Sequence, residues 1–317
     1  MALPGVFLFS IGWGSSEFGP KEMWQALGQR EAMDPAARIL WEMRLPRTLT
    51  ALVAGAGLAL AGLLMQTLFR NILAGPYVLG ISSGASLGVA LVILVGTGSA
   101  WGIMGAAALG AMTSMSFILI LSRYFRSPVS LLVVGMMVGY IVDALVSLLI
   151  HFGNPDRLQS FVTWGFGSFG RVTWNEIGIL TIIIIFCVLF VLPTLPYLNT
   201  VLLGEEASAG LGIRVGRNRV IVLTVASLIT ATVTVYCGPI AFIGMAVPQL
   251  SRSIFRTADH RILIPATLWI GATLSIAAGW IANLPSSGGV LPLNSATALL
   301  GAPVVLWTLT RYRGEHG

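Results

Sequence analysis

Long apolar runs, separated by short polar or glycine-rich breaks, dominate the chain from residue 44 onward. Arg44-Leu45-Pro46-Arg47 precedes a stretch from Thr48 to Leu68 with no ionisable residue. At a helical rise of about 1.5 Å per residue, such a stretch matches a hydrocarbon core of roughly 30 Å. The chain then passes Arg70-Asn71, turns at Gly75-Pro76 and re-enters an apolar run with small residues at Gly80, Gly84 and Gly88. That spacing places them on one helical face and predicts close approach of a neighbouring backbone. Most other runs are expected to pack on this pair. Further spans are predicted over 101–121, 128–152, 174–192, 220–236, 240–255, 262–281 and 293–310, beside 48–68 and 79–95. Gly238-Pro239 is read as a turn between two short spans. The first apolar run, 2–13, is about half the length of a span and reads as the outer end of a truncated first helix, which brings the expected number to ten. The mixed segment 21–43 is expected to form short surface helices.

Composition fixes the class. Hydrophobic residues make up 56% of the chain and charged residues 9%, against about 45–50% and 25% in soluble proteins. The fold class is therefore all-α and polytopic, with 1–317 read as a single transmembrane domain embedded in the lipid bilayer. A net charge of +6 would suggest nucleic acid in a soluble protein, but here the arginines fall between spans, and no nucleic-acid partner is expected. Alternating loop assignment puts Arg70, Arg123, Arg126, Arg214, Arg217, Arg219, Arg252, Arg256, Arg261, Arg311 and Arg313 on one side, eleven of the 18 basic residues. Arg157 and Arg171 are alone on the other side beyond the N-terminal segment. The positive-inside rule then places the eleven, and the C-terminus, in the cytoplasm. Arg44 and Arg47 face outward, against that bias.

Chemistry is mostly absent. Gly165-Phe166-Gly167-Ser168-Phe169-Gly170 matches G-x-G-x-x-G but has no strand before it and falls in an outer loop, so a dinucleotide site is rejected. A Walker A loop needs a lysine after its glycines, and the only lysine is Lys21; any ATP-driven step needs another subunit. His151, His260 and His316 have no ligand at metal spacing, and Cys187 and Cys237 read as buried small hydrophobes. No cofactor, metal or catalytic residue is expected. Asp143 lies mid-span, where a charge costs about 2.5–3.5 kcal/mol or more. It either lines a polar path or ties two helices together, with Tyr140 one turn earlier as a candidate partner. The loop at 197–219 carries Leu203-Gly204-Glu205-Glu206-Ala207-Ser208-Ala209-Gly210-Leu211-Gly212, followed by Arg214, Arg217 and Arg219. Acids at its start and arginines at its end suit a short helix at the membrane surface, and its small faces suggest that something docks there.

These residues carry a family resemblance. Arg44-Leu45-Pro46-Arg47, Arg70-Asn71 with Leu73-Ala74 and Pro76, Leu79-Gly80 with Gly84-Ala85, Gly204-Glu205 with Ala207 and Leu211-Gly212, Gly238-Pro239-Ile240 with Phe242-Ile243-Gly244, Asp259-His260-Arg261, Leu291-Pro292 and Gly301-Ala302-Pro303 follow the order seen in FecCD-type permeases. The chain resembles the membrane subunit of a type II ABC importer for iron chelates, haem or cobalamin. The resemblance implies ten helices per subunit, a homodimer with the substrate path on its axis, and an ABC ATPase subunit docked on Gly204, Glu205, Glu206, Ala207, Leu211 and Gly212. It implies that Arg44 and Arg47 receive carboxylates of a periplasmic or lipid-anchored substrate-binding protein. Ser127, Pro128 and Ser130 match the cytoplasmic gate region, and the same helix carries Asp143 into or near the path. The sequence departs from the pattern at Val247-Pro248-Gln249, Gly279, Asn283 and Asn294; of these, the missing arginine at 283 removes one outward positive charge and puts a third contact to the binding protein in doubt, but not the fold. The alternative is an ion-coupled secondary transporter, for which Asp143 alone is a poor relay. An intramembrane enzyme would need a nucleophile and base that are not visible.

Overall fold

The computed structural model describes residues 2–12, 20–28, 34–96, 100–125, 127–284 and 291–314. Three short helices, α1 (Ala2–Gly12), α2 (Pro20–Ala26) and α3 (Pro35–Arg38), lead into α4 (Leu45–Phe69), α5 (Ile81–Ala90), α6 (Ala100–Tyr124) and α7 (Pro128–Phe152). They are followed by α8 (Pro155–Gly165), α9 (Trp174–Val191), α10 (Leu195–Thr200), α11 (Glu205–Gly210), α12 (Val215–Cys237), α13 (Ile243–Phe255), α14 (His260–Ala282) and α15 (Leu293–Gly314). No strand occurs among the described residues.

The pair predicted to organise the chain does so unequally. Helix α4 sits at the centre, packed against α14, α12, α13 and α9, and every residue from Gly57 to Phe69 is buried. Its contacts are backbone on backbone. A Cβ on Gly55 would collide with Ser275 and lie 2.6 Å from the Gly271 carbonyl oxygen, and a Cβ on Gly62 would fall inside the Gly244 carbonyl. The small face on α5 is also used, but it meets two neighbours. Gly84 and Gly88 lie against Gly110 and Ala106 of α6, and Gly80 against Gly139 of α7.

Among the described residues, six helical stretches are long and apolar enough to cross a membrane: Pro35–Phe69, Gly102–Tyr124, Pro128–Phe152, Trp174–Leu203, Val215–Cys237 and His260–Ala282. The expected number of ten therefore stands only in part. Leu3–Gly12, Ile81–Val95 and Leu293–Leu306 are shorter apolar helices. Helix α13 has 13 residues, about 20 Å at helical rise. The shortness of α5 and α13 has a common cause. The irregular segments 71–80 and 238–242 that precede them meet inside the protein, where the Ile240 amide donates to the Tyr77 hydroxyl at 2.9 Å and Gly244 lies against the Pro76 ring. Non-helical backbone at membrane depth is tolerated only when protein satisfies it. Here Gly80 N donates to the Tyr77 carbonyl at 3.1 Å and Ala241 N to Asn294 Oδ1 at 2.9 Å.

Polar side chains tie one end of the bundle together, and that end carries the described members of the arginine-rich side. Thr67 on α4 meets His260 Nε2 at 2.7 Å. His260 Nδ1 meets Asn199 Oδ1 at 2.7 Å, which also accepts from the His260 amide at 2.9 Å. Asn199 Nδ2 donates to Asp259 Oδ1 at 2.7 Å. Since Asn199 Oδ1 can only accept, the His260 proton sits on Nδ1 and Nε2 accepts from the Thr67 hydroxyl. Nearby, Arg252 Nη1 donates to Gln66 Oε1, Gln66 Nε2 to the Met245 carbonyl at 2.9 Å, and Arg219 Nη2 to the Phe125 carbonyl at 2.9 Å. The ends of α4, α6, α10, α13 and α14 are thus held at one face. Arg126 lies outside the described residues.

Replacing Gly62 by Val should abolish or severely destabilise folding, by about 3 kcal/mol or more, because rigid backbone blocks the new side chain. Gly178→Ala on α9 should leave the melting temperature unchanged or raised, since nothing lies within 4 Å of its Cβ position and alanine favours helix. Thermal unfolding of the two variants in detergent compares them directly. Asn199→Ala should lower stability by about 2 kcal/mol by leaving the buried His260 donor unpaired. It should also move acid sensitivity. The Arg261 amide and the Asn199 side chain hold the Asp259 carboxyl below the usual carboxylate range, so its contribution is present above the unfolded value of about 3.9 and fades as pH falls through the lower folded one. Loss of Asn199 should shift that fading upward in an acid-unfolding series.

Candidate functional site

The segment expected to dock a partner forms a compact knob after α9. Pro193 and Pro196 break the long helix into short turns, and α10 passes through the 3-10 turn Val201–Leu203 into α11. Gly204, at φ +118°, makes the reversal that no other residue adopts readily. Ser208 is fully buried and its hydroxyl bonds to Thr200 Oγ1 at 3.1 Å and to the Gly204 carbonyl at 3.1 Å. That leaves α11 seated on α10 with one face outward. On the outside stand Leu203 and Leu211, 77% and 66% exposed, with Glu206, Ala207 and Gly212 also exposed. Glu205 behaves differently from Glu206. Its Oε1 is buried with no hydrogen-bond partner among the described residues, close enough for the Tyr197 hydroxyl to feel its charge and that of Arg219. Of the two expected acids, Glu206 is exposed and Glu205 only partly so. Asn199, Thr200 and Ser208 were not singled out from the sequence, although Ser208 lies in the segment; a polar side chain in a surface loop gives no sign that it will be buried.

At the opposite end, Arg44 and Arg47 have different surroundings. Arg44 is buried and its Nη1 donates to the Ile11 carbonyl at 2.7 Å, closing α1 onto the head of α4. Arg47 is half-buried and runs along Gly170, whose Cβ position lies 3.0 Å from Arg47 Nε. The loop around Gly170 is the G-x-G-x-x-G stretch, and it serves as a stitch. Ser168 N donates to the Cys237 carbonyl at 2.7 Å, and Asn294 Nδ2 donates to the Gly165 and Pro239 carbonyls at 3.1 and 2.9 Å.

The gate candidates open α7. Ser127 caps it, accepting from the Ser130 amide at 3.4 Å, and Pro128 occupies the first turn. Only a narrow stripe of α7 is buried, Leu131, Leu132, Gly135, Gly139 and Val146 among it. Asp143 is exposed, and its carboxylate has no hydrogen-bond partner among the described residues. At 100° per residue it shares an outward sector with Tyr140, Ser147 and His151, all exposed. The opposite outward sector carries Ile141, Leu145, Leu148 and Phe152. From Tyr140 onward, one side of the exposed helix is therefore polar and the other apolar, whereas Val129 and Val133 make the first turns of the Asp143 side apolar. No cluster of metal-ligating side chains occurs among the described residues.

Comparison with known proteins agrees with this architecture. The FecCD transport family profile matches residues 2–311. The vitamin B12 import system permease protein BtuC of Klebsiella pneumoniae is 34% identical over 312 residues, spanning 98% of this chain and 91% of that protein. Its counterpart in Shigella boydii is 33% identical over 295 residues, spanning 92% and 89%. A solved structure described as a metal-chelate type ABC transporter in an inward-facing conformation superposes with a TM-score of 0.86 at 29% identity, over 98% of this chain and 96% of that one. By sequence along nearly its full length, and by fold, this chain belongs to the FecCD transport family.

Proposed function

We propose that the chain is the membrane-spanning permease subunit of an ABC importer, a single transmembrane unit over 1–317 that performs no covalent chemistry. It works as a homodimer in the bacterial inner membrane with a separate ATPase and a substrate-binding protein. Its cargo is an iron chelate, haem or cobalamin, the class to which the relatives' names point. The observation that carries the reading is the knob formed by α10 and α11. Large apolar side chains at Leu203 and Leu211 stand exposed at the arginine-rich end, where a folded partner and not lipid would cover them. Glu206, Ala207 and Gly212 complete that surface, while Gly204 and Glu205 shape it from behind. The arginine-rich end, with the C-terminus, is assigned to the cytoplasm by the positive-inside bias. Arg47 is the residue of the Arg44 and Arg47 pair placed to meet a carboxylate of the binding protein; Arg44 supports it by fixing α1. Ser127, Pro128 and Ser130 form the cytoplasmic gate region, and the polar sector of α7 around Asp143 faces the path on the dimer axis.

Leu203→Asp with Leu211→Asp should weaken retention of the ATPase at least tenfold in co-purification, about 1.4 kcal/mol or more, with no fall in the melting temperature of the isolated permease. Glu205→Lys should instead destabilise the permease itself, because it places an ammonium where the Glu205 Oε1 is buried without a hydrogen-bond partner. Intact complexes from the double aspartate variant would remove the docking surface. Arg47→Glu should slow capture of the binding protein at low salt and lose that effect as salt screens it; unchanged association kinetics at low salt would remove Arg47 from that role.

A further inference from the structure

Helices α6 and α9 both lean on α12 but barely meet each other. The crevice between them holds a cavity of about 640 Å³, within the range of small-molecule sites. Helix α8 and the turn after it roof the cavity through Trp164 and Arg171, and the end of α12 supplies Val235 and Tyr236. The lining residues mark its depth. Glu176 is in the first turn of α9, Ile103 and Met104 are near the start of α6, and Tyr236 is in the last turn of α12. The cavity therefore lies where the spans end, at the boundary between hydrocarbon and water. Both flanking helices expose large apolar side chains, Leu109 and Met112 on α6 and Ile179 and Ile182 on α9, as helices facing lipid do.

Ile93, Ile103, Met104 and Val235 give its lining an apolar part, Gln159, Ser160 and Thr163 of α8 a polar one, and Arg171 and Glu176 one charge of each sign. Arg171 donates from Nη1 to the Trp164 carbonyl at 3.1 Å and from Nη2 to the Thr163 carbonyl. A guanidinium has five N–H groups, so three stay available. Glu176 Oε2 accepts from the Thr173 amide and hydroxyl at 2.7 and 2.9 Å, which leaves Oε1. The two charges line one cavity, yet Arg171 is not paired with Glu176. A cation and an anion that share an amphipathic cavity without joining are complementary to a zwitterion. A cavity bordered by lipid-facing helices draws that zwitterion from the bilayer.

We propose that the crevice between α6 and α9 binds one phosphatidylethanolamine molecule, with its phosphate on Arg171, its primary ammonium on Glu176 and its acyl chains over Ile103, Met104 and Val235. The ammonium decides among phospholipids. It donates N–H bonds to a carboxylate, which the quaternary ammonium of phosphatidylcholine cannot do, and phosphatidylglycerol has no cation for Glu176. The site goes beyond the transport reading and does not depend on it.

Native mass spectrometry of the purified chain, delipidated stepwise and then offered each of the three lipids, tests the proposal. The wild type should retain phosphatidylethanolamine about tenfold better than phosphatidylcholine or phosphatidylglycerol. Arg171→Gln should weaken retention of all three, and Glu176→Gln should erase the preference among them. Both residues also support local turns, so Met104→Trp, which fills the cavity without touching either charge, is the deciding variant. It should lose phosphatidylethanolamine while keeping the melting temperature of the delipidated wild type. Equal retention of the three lipids by the wild type, or undiminished retention by Met104→Trp, would overturn the site. So would free phosphoethanolamine raising the melting temperature as much as the lipid does, since that outcome makes the crevice a solute site.

Discussion

The close approach of backbones along α4 is the constraint on which the rest of the structure depends. In a bilayer, burying apolar side chains gains little, because lipid tails are as apolar as leucine, so helices associate through dispersion at short distance. Gly55 and Gly62 lie seven residues apart on one side of α4 and admit Gly271 and Ser275 of α14 and Gly244 of α13. With α4 fixed between these partners, α9 and α12 close the remaining sides. The demand on α13 explains an irregularity elsewhere. To bring Gly244 against Gly62, the chain after α12 must enter the bundle as extended backbone, and segment 71–80 comes from the other end to meet it at Tyr77 and Ile240.

That arrangement gives structural tasks to positions where the sequence departs from the family pattern. Gln249 is buried, donates to the Ile72 carbonyl at 2.7 Å and accepts from the Thr308 hydroxyl at 2.6 Å, so it joins the irregular segment 71–80 to α15. Asn294 satisfies backbone groups on both sides of the crossing between the 165–170 loop and the 238–242 segment. Asn283 turns inward to cap the Gly279 carbonyl, and Gly279 accepts the Phe169 ring, 3.1 Å from its Cβ position. These residues seal irregular backbone, which matters more in lipid than in water because an unpaired amide has no solvent to turn to.

What could be read from the sequence divides along physical lines. The spans from Thr48, Pro128, Trp174 and the region after Arg214 were legible because an ionisable residue is excluded from hydrocarbon by its cost, and that exclusion leaves a mark in one dimension. The small faces at Gly84 and Gly88 were legible for the same reason that they work, since spacing fixes which residues share a side. Helix α8 was missed although Asn154 and Pro155 signal its start, with Asn154 Oδ1 accepting the Asp156 amide at 3.0 Å; it is too short and polar to register as a span. The fates of Arg44 and Glu205 were not legible at all. Each sits beside a residue of the same charge, Arg47 and Glu206, and which member turns inward depends on the tertiary neighbours Ile11 and Tyr197.

Attachment differs sharply between the two ends of the chain's middle. The α10 and α11 knob is bound to the core by Ser208, Thr200 and Asn199, and through His260 and Thr67 to α14 and α4, the two helices with the closest contact in the bundle. A displacement imposed at Leu203 or Leu211 would therefore pass through this hydrogen-bonded chain to α14 and α4. Helix α7 is held chiefly by one stripe against α5, centred on Gly80 and Gly139, and touches α4 and α6 only slightly. Together with α9 and α15 it is among the most lightly held of the long helices. On the proposed reading, a tightly packed body would bear the docking knob and a more lightly held helix the exposed Asp143 sector, a division of parts that suits alternating access: force would enter where packing is tight, and the path would change shape where it is not.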